Sequence, residues 1–374
     1  MARLASMASM PEQSTDARMI SSATSSPLAL TCLPLCRHHA RGSVEHSTAA
    51  AHGRRSTSPE IQPPQPDPRK PFRRHRELYP FASHWCDAAG RRLHYLDEGP
   101  ALVGRSERDG QSSTGAPSTL VLLHGNPTWS FLYRRLILRL RAHCRCIAPD
   151  LPGFGLSPTP PRPLRPAAHA ESIAALLDAL GLDDYVLVAH DWGGPIGLAA
   201  ARQRPRALRG LVLANSFAWP LRGASSWRLR LFSVLAGGPP AVFASRCCNA
   251  FLELGLRVAI RRRPLPAAVL DGYRAPFRER ERRSAMHGLA RELLGSTGFL
   301  AAVEQDLARF RDRPVLLCWG GRDPFVGTYE RRRFEAAFPE HQSLLLPEAG
   351  HFVPEDTPAA MAEAMLAWPG CRWR

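Results

Sequence analysis

Asp191 ends the apolar run 186–189, stands between His190 and Trp192, and is followed by Gly193 and Gly194. A strand that stops so abruptly and continues as a small-residue helix turns sharply, which lifts the side chain at the turn above the sheet. A carboxylate there is a poor acylating nucleophile toward amides, yet it opens a saturated carbon well when the leaving group is good. An Asp capping an ordinary helix would account for Asp191 but not for Trp192 or the groups that follow. Two later loops supply those groups: Gly320-Gly321-Arg322-Asp323-Pro324 and Glu348-Ala349-Gly350-His351-Phe352, each after a strand-like run. His351 suits a general base, and Asp323 suits the carboxylate that fixes its tautomer and stabilises the imidazolium. Singly, such residues are most often a solvated histidine and a turn aspartate; in this order and at strand ends they read as a triad. A third loop, His124-Gly125-Asn126-Pro127, follows the apolar run 120–123. Backbone N–H groups of Asn126 and Trp192 are expected to face charge developing on the Asp191 carbonyl oxygen, as an oxyanion hole. The Asn126 amide and the Trp192 indole are two neutral donors that suit a halide leaving a dry pocket, although Trp192 also reads simply as pocket wall. Asn126-Pro127 is a candidate cis bond in a tight turn.

The elements that must position these groups alternate in type. Strands are expected over 82–87, 91–97, 120–123, 144–148, 185–190, 208–214, 314–319 and 343–346, and helices over 130–142, 167–180, 193–204, 328–338 and 355–368. Alternation of this kind makes a doubly wound α/β fold with a mostly parallel sheet. It stops over 217–311, where helical patches are broken by Gly and Pro; this segment is expected to close over the C-terminal edge of the sheet as a helical cap. Residues 1–75, rich in Ser, Ala, Pro and Arg without hydrophobic periodicity, are expected to be a disordered extension, resembling either a transit peptide or an over-long start. The organisation expected is therefore an extension over 1–75, core over 76–216, cap over 217–311 and core again over 312–374.

A formal charge of +16 invites a nucleic-acid reading. The basic excess is five in 1–75, four in 76–216 and nine in 217–311, with an acidic excess of two in 312–374. Lys70 is the single lysine, so the excess is arginine-biased, and it is read as a solvated basic face without a nucleic-acid motif. Nine cysteines without a CxxC pair fit a reduced, cytoplasmic protein, and no apolar run is long enough to span a bilayer. No nucleic-acid or membrane partner is expected, and oligomeric state is left open.

From about residue 79 to 370 the chain resembles a haloalkane dehalogenase of the α/β-hydrolase fold. The likeness rests on His124-Gly-Asn-Pro-Thr-Trp129, on His190-Asp-Trp-Gly-Gly-Pro-Ile-Gly197 and on the Asp323 and His351 loops. It implies an α/β-hydrolase core with a cap, nucleophile Asp191, base His351, acid Asp323 and halide donors Asn126 and Trp192. It further implies an aspartyl-ester intermediate, with a halogenated small molecule and water as reactants, an alcohol and a halide as products, and no metal or organic cofactor. In this family the acid follows the strand before or after the cap; Ala214-Asn215-Ser216-Phe217 holds no carboxylate, which leaves Asp323. That placement with an Asn/Trp pair resembles the third subgroup, and Tyr273-Arg-Ala-Pro-Phe277 also looks family-like. Where these dehalogenases more often have Gln, His190 stands here, as in epoxide hydrolases. Those enzymes activate the epoxide with two cap tyrosines, whereas 217–311 has Tyr273 alone, and they usually have an aromatic residue before the loop proline. Haloacid dehalogenases usually place Arg at the position of Trp192. Epoxide hydrolysis is the alternative reading, and a non-catalytic binding protein on this scaffold is a further one. Trp219, Trp227 and the phenylalanines near the cap are candidates for an access route.

Overall fold

A computed structural model of the chain describes residues 76–100, 118–223 and 226–370. Every described residue belongs to one compact unit, Pro64–Arg374. The expectations for residues 1–75 lie outside the described residues.

The core is an eight-stranded sheet. A hairpin of β1 (His84–Ala88) and β2 (Arg91–Glu98) leads to β3 (Thr119–Leu123). Then α1 (Arg134–Leu140), β4 (Arg145–Pro149), α2 (Pro166–Ala179), β5 (Tyr185–Asp191), α3 (Gly193–Ala201) and β6 (Leu208–Ser216) follow. After an all-helical stretch come β7 (Val315–Gly320), α10 (Thr328–Ala337), β8 (His341–Leu346), α11 (Val353–Asp356) and α12 (Pro358–Ala367). The strand order is β1-β2-β4-β3-β5-β6-β7-β8, antiparallel from β1 through β4 and parallel thereafter. Strands β3 and β5 are buried along their whole length, which is why they are continuous apolar runs rather than alternating ones. The change of direction in strand order sets the C-terminal ends of β3 and β5 side by side, where an open α/β sheet forms its crevice.

Two expected helices are divided. Over 130–142, a tight 3-10 turn (Ser130–Tyr133) precedes α1, with the Ser130 N–H drawn onto the Asp150 carboxylate at 2.8 Å. Over 355–368 the divider is Pro358: the residue before a proline avoids helical backbone, so α11 closes at Asp356 and α12 restarts with Pro358 in its first turn.

Between β6 and β7 lie α4 (Trp227–Gly237), α5 (Pro239–Cys248), α6 (Ala250–Ala259), α7 (Ala267–Arg274), α8 (Ser284–Gly295) and α9 (Thr297–Asp306). Helix α4 turns Leu229, Ser233 and Gly237 inward, and Ser233 donates to the Ala290 carbonyl of α8 at 2.7 Å. A buried ion pair fastens the inserted helices to the core: Glu355 accepts from Arg134 and from the Tyr273 hydroxyl (2.6 Å), and the Arg134 guanidinium lies 4.1 Å from the Phe131 ring centroid. No helix among the described residues is long and apolar enough to cross a membrane. The six described cysteines, including buried Cys144 and Cys146, are free thiols.

Candidate active site

Asp191 occupies the junction of β5 and α3 with φ +51, a left-handed backbone that a non-glycine residue rarely adopts. Its neighbours are cut to fit that corner. A Cβ on Gly125 would lie 2.4 Å from Asp191 Oδ1, one on Gly193 would lie 2.1 Å from the Leu123 carbonyl oxygen, and one on Gly194 would lie 1.9 Å from Ser216 Oγ. Ser216 Oγ in turn donates to the Asp191 carbonyl at 2.7 Å, which holds the corner from the far side. The turn therefore costs strain, and its surroundings over-determine it.

The expected site residues converge there. Asn126 N–H donates to Asp191 Oδ1 at 2.8 Å, and the Asn126–Pro127 peptide is cis. His351 Nε2 lies 3.6 Å from Asp191 Oδ2, an ion-pair distance too long for a direct hydrogen bond, while His351 Nδ1 lies 2.7 Å from Asp323 Oδ2. Asp323 is itself held by the N–H groups of Phe325 (2.7 Å) and Val326 (3.1 Å) on its other oxygen. Burial opposes ionisation of Asp191, but His351 and the Trp192 N–H overcome it and keep the carboxyl below the ordinary range. Burial also disfavours the charged form of His351, yet Asp323 and Asp191 outweigh it and push the imidazole up to about 10. The resting site is thus a buried imidazolium between two carboxylates.

The two side-chain donors differ. Among the described residues no protein acceptor takes the Trp192 indole N–H, and Trp192 lines the cavity. One Asn126 amide proton goes to the Met286 carbonyl of α8 at 2.9 Å, leaving the other for a ligand. The inserted helices therefore orient the amide. Above Asp191 opens a cavity of about 350 Å³ whose wall is almost wholly apolar, with Phe232, Phe251, Phe325 and Phe352 prominent. Trp219 is buried against Phe334 and Trp227 is exposed; neither lines the cavity. Tyr273 is absent from its wall as well, its hydroxyl committed to Glu355.

Three positioning contacts were not read from the sequence. Asn215, at the end of β6 with φ +38, donates to Asp323 Oδ2 and accepts from Gly320 N–H at 2.8 Å. His190 Nε2 lies 2.9 Å from the His351 carbonyl oxygen, to which it donates. Burial, then the neighbouring His351, pushes His190 down to about 3, so it is a neutral strut rather than a second base. The His351 N–H donates to the Ala259 carbonyl at the end of α6, 2.7 Å away. An Asn before a strand-to-loop turn hints at left-handed backbone, and that was the one legible signal among the three.

Residues 118–358 match the alpha/beta hydrolase fold family. The chain is 38% identical over 293 residues to haloalkane dehalogenase 2 of Mycobacterium tuberculosis, covering 78% of this chain and 96% of that one. It is 29% identical to a cis-3-alkyl-4-alkyloxetan-2-one decarboxylase of Shewanella oneidensis, over 75% of this chain and 85% of that protein. Among solved structures, a loop variant of a haloalkane dehalogenase from Bradyrhizobium elkanii superposes with a TM-score of 0.65 at 28% identity, covering 76% of this chain and 95% of the other.

Proposed function

The chain belongs to the α/β-hydrolase fold family and, within it, to the haloalkane dehalogenases; from that premise we propose that it cleaves carbon–halogen bonds through an ester on Asp191. The observation that carries this reading is a carboxylate nucleophile, not a hydroxyl or thiol, at the bottom of an apolar cavity beside a free indole N–H. Asp191 attacks the halogen-bearing carbon in line; the C–O bond forms as the carbon–halogen bond breaks. The halide leaves toward the Trp192 indole and the remaining Asn126 amide proton. The helices over 217–311 act as a cap that keeps the cavity dry, which strengthens both interactions.

The second step follows from charge. While Asp191 is ionised, His351 holds its proton and is no base. Alkylation makes Asp191 neutral and removes one of the two carboxylates that raise His351, so burial gains the upper hand and the proton leaves. Neutral His351 then takes a proton from water, whose oxygen attacks the ester carbonyl, and Asp323 stabilises the returning imidazolium. Asn126 N–H and Trp192 N–H meet the oxyanion. The products are alcohol, halide and one proton, and Asp191 and imidazolium His351 are restored. No step calls on a metal or an organic cofactor.

The test is halide release from 1,2-dibromoethane and 1-bromobutane by wild-type protein and by Asp191→Ala. Release by the wild type alone supports the reading; equal release by both refutes it. Epoxide hydrolysis is disfavoured by Tyr273, whose hydroxyl is turned to Glu355 and away from the cavity. The oxetanone-decarboxylase relative and the wide apolar wall favour a different second reading, loss of carbon dioxide from a dialkyl β-lactone to leave an alkene. Alkene from such a lactone without halide release from bromoalkanes would select it.

A further inference from the structure

Six large apolar side chains of α4, α5 and α6 face outward: Trp227, Leu231, Val234, Leu235, Phe243 and Leu254, each between 48% and 71% exposed. Four of them, at spacings of four, three and one along α4, form a stripe on the face opposite Leu229, Ser233 and Gly237. Helix α4 is therefore apolar on the side that should be polar. Leu235 and Leu254 also line the cavity, so the stripe runs without a break into the mouth above Asp191. Along the same stretch of chain the charge is almost all of one sign. Residues 222–263 hold eight arginines and one acid, Glu253, which is spent on Arg274 at 2.6 Å. None of the eight forms a salt bridge among the described residues, and Arg228, Arg230, Arg246 and Arg257 are exposed on the same three helices.

From this pairing of an outward apolar stripe with unpaired arginines, we propose that α4–α6 dock in the surface of a bilayer containing anionic phospholipid, with the cavity mouth against the lipid. Aromatic and aliphatic side chains enter the boundary of headgroups and acyl chains while guanidinium groups meet phosphate, which is how an amphipathic helix lies on a membrane without crossing it. Neither α4 nor α5 is long enough to span, and the two meet at 62°, so each can lie along the surface but they cannot form one straight span. The cytoplasmic leaflet is the anionic one, in keeping with the cytoplasmic placement expected from the cysteines. The expectation of no membrane partner is set aside for this face. Docking rests on the surface alone; entry of substrate from the acyl phase rests on the proposed reaction.

The test is flotation of the full-length protein with vesicles of equal parts phosphatidylglycerol and phosphatidylcholine, or of phosphatidylcholine alone. Wild type is expected on the anionic vesicles only, in a salt-sensitive manner. Leu231→Glu/Val234→Glu, whose residues lie outside the cavity, is expected to lower the bound fraction about tenfold while halide release from a water-soluble bromoalkane is unchanged. Phe243→Ser is the second variant should the first fail to fold. Undiminished binding of the folded variants would assign the interaction to charge elsewhere and overturn the proposal. So would absence of wild-type binding, or an oligomer that the variants dissolve and that ignores vesicles. Halide release is read separately in each preparation, so loss of the reaction is distinguished from loss of docking.

Discussion

His351 lies between two carboxylates, 2.7 Å from one and 3.6 Å from the other, and the charge on the second decides what it does. Replacing it with Phe is expected to leave the first chemical step intact and stop the second. A rapid-quench assay of His351→Phe should then show about one halide per active site followed by loss of turnover of at least about a thousandfold. The same pair sets a pH dependence of stability. A histidine raised from 6.5 to about 10 on folding stabilises the native state fully below pH 6.5, and that contribution disappears as pH rises through 10. Chemical unfolding of the wild type should therefore weaken between pH 6.5 and 10, and the slope should flatten in His351→Phe. Asn215→Ala removes a donor from Asp323 and is expected to lower kcat about tenfold with KM little changed. Asp191, Asp323 and His351 were legible because the first ends a strand and the others lie in loops that follow later strands, in a fixed chain order. Asn215 was not, since its effect is exerted on a residue 108 positions away and only the sheet brings them together.

At the scale of elements, the corner between β5 and α3 has room because Gly125, Gly193 and Gly194 carry no side chain where the backbone and the carboxylate press closest. Gly125→Ala sets a methyl on the carboxylate and is expected to cost about 1–3 kcal/mol of stability, with a larger fractional loss of activity, measured by urea unfolding and halide release together. The attachment of α7 to α11 is as specific. Glu355→Ala strands a buried guanidinium and the Tyr273 hydroxyl, and a loss of about 3–5 kcal/mol is expected in the same unfolding experiment. All eight strands were legible, β3 to β7 from runs of buried β-branched and apolar residues, with ends displaced by at most two positions. The inserted helices were read as a helical cap without individual bounds or faces; α4 presents an apolar stripe to solvent and so inverts the rule by which a sequence assigns the inward face.

For the whole molecule, the sequence located the basic excess in residues 1–75 and 217–311 but read it as a solvated face. Linear counting does not say that four of those arginines, Arg228, Arg230, Arg246 and Arg257, lie exposed on three consecutive helices that also line the cavity. All five candidate site residues lie in the unit from Pro64 to Arg374. Removing residues 1–63 is therefore expected to leave kcat within about twofold of the intact chain, measured by halide release.

The peptide of His351 is gripped from two sides, its N–H by the Ala259 carbonyl of α6 and its carbonyl by His190. This makes two traits hereditarily inseparable at one end of α6. A mutation near residues 256–260 that reshapes the pocket for a new substrate also shifts the base that must turn it over, so selection there trades breadth against rate. Helix α5, which reaches the cavity through Ala241 and Ser245, makes neither of these bonds, and a library built on it should yield altered preferences at nearly constant turnover.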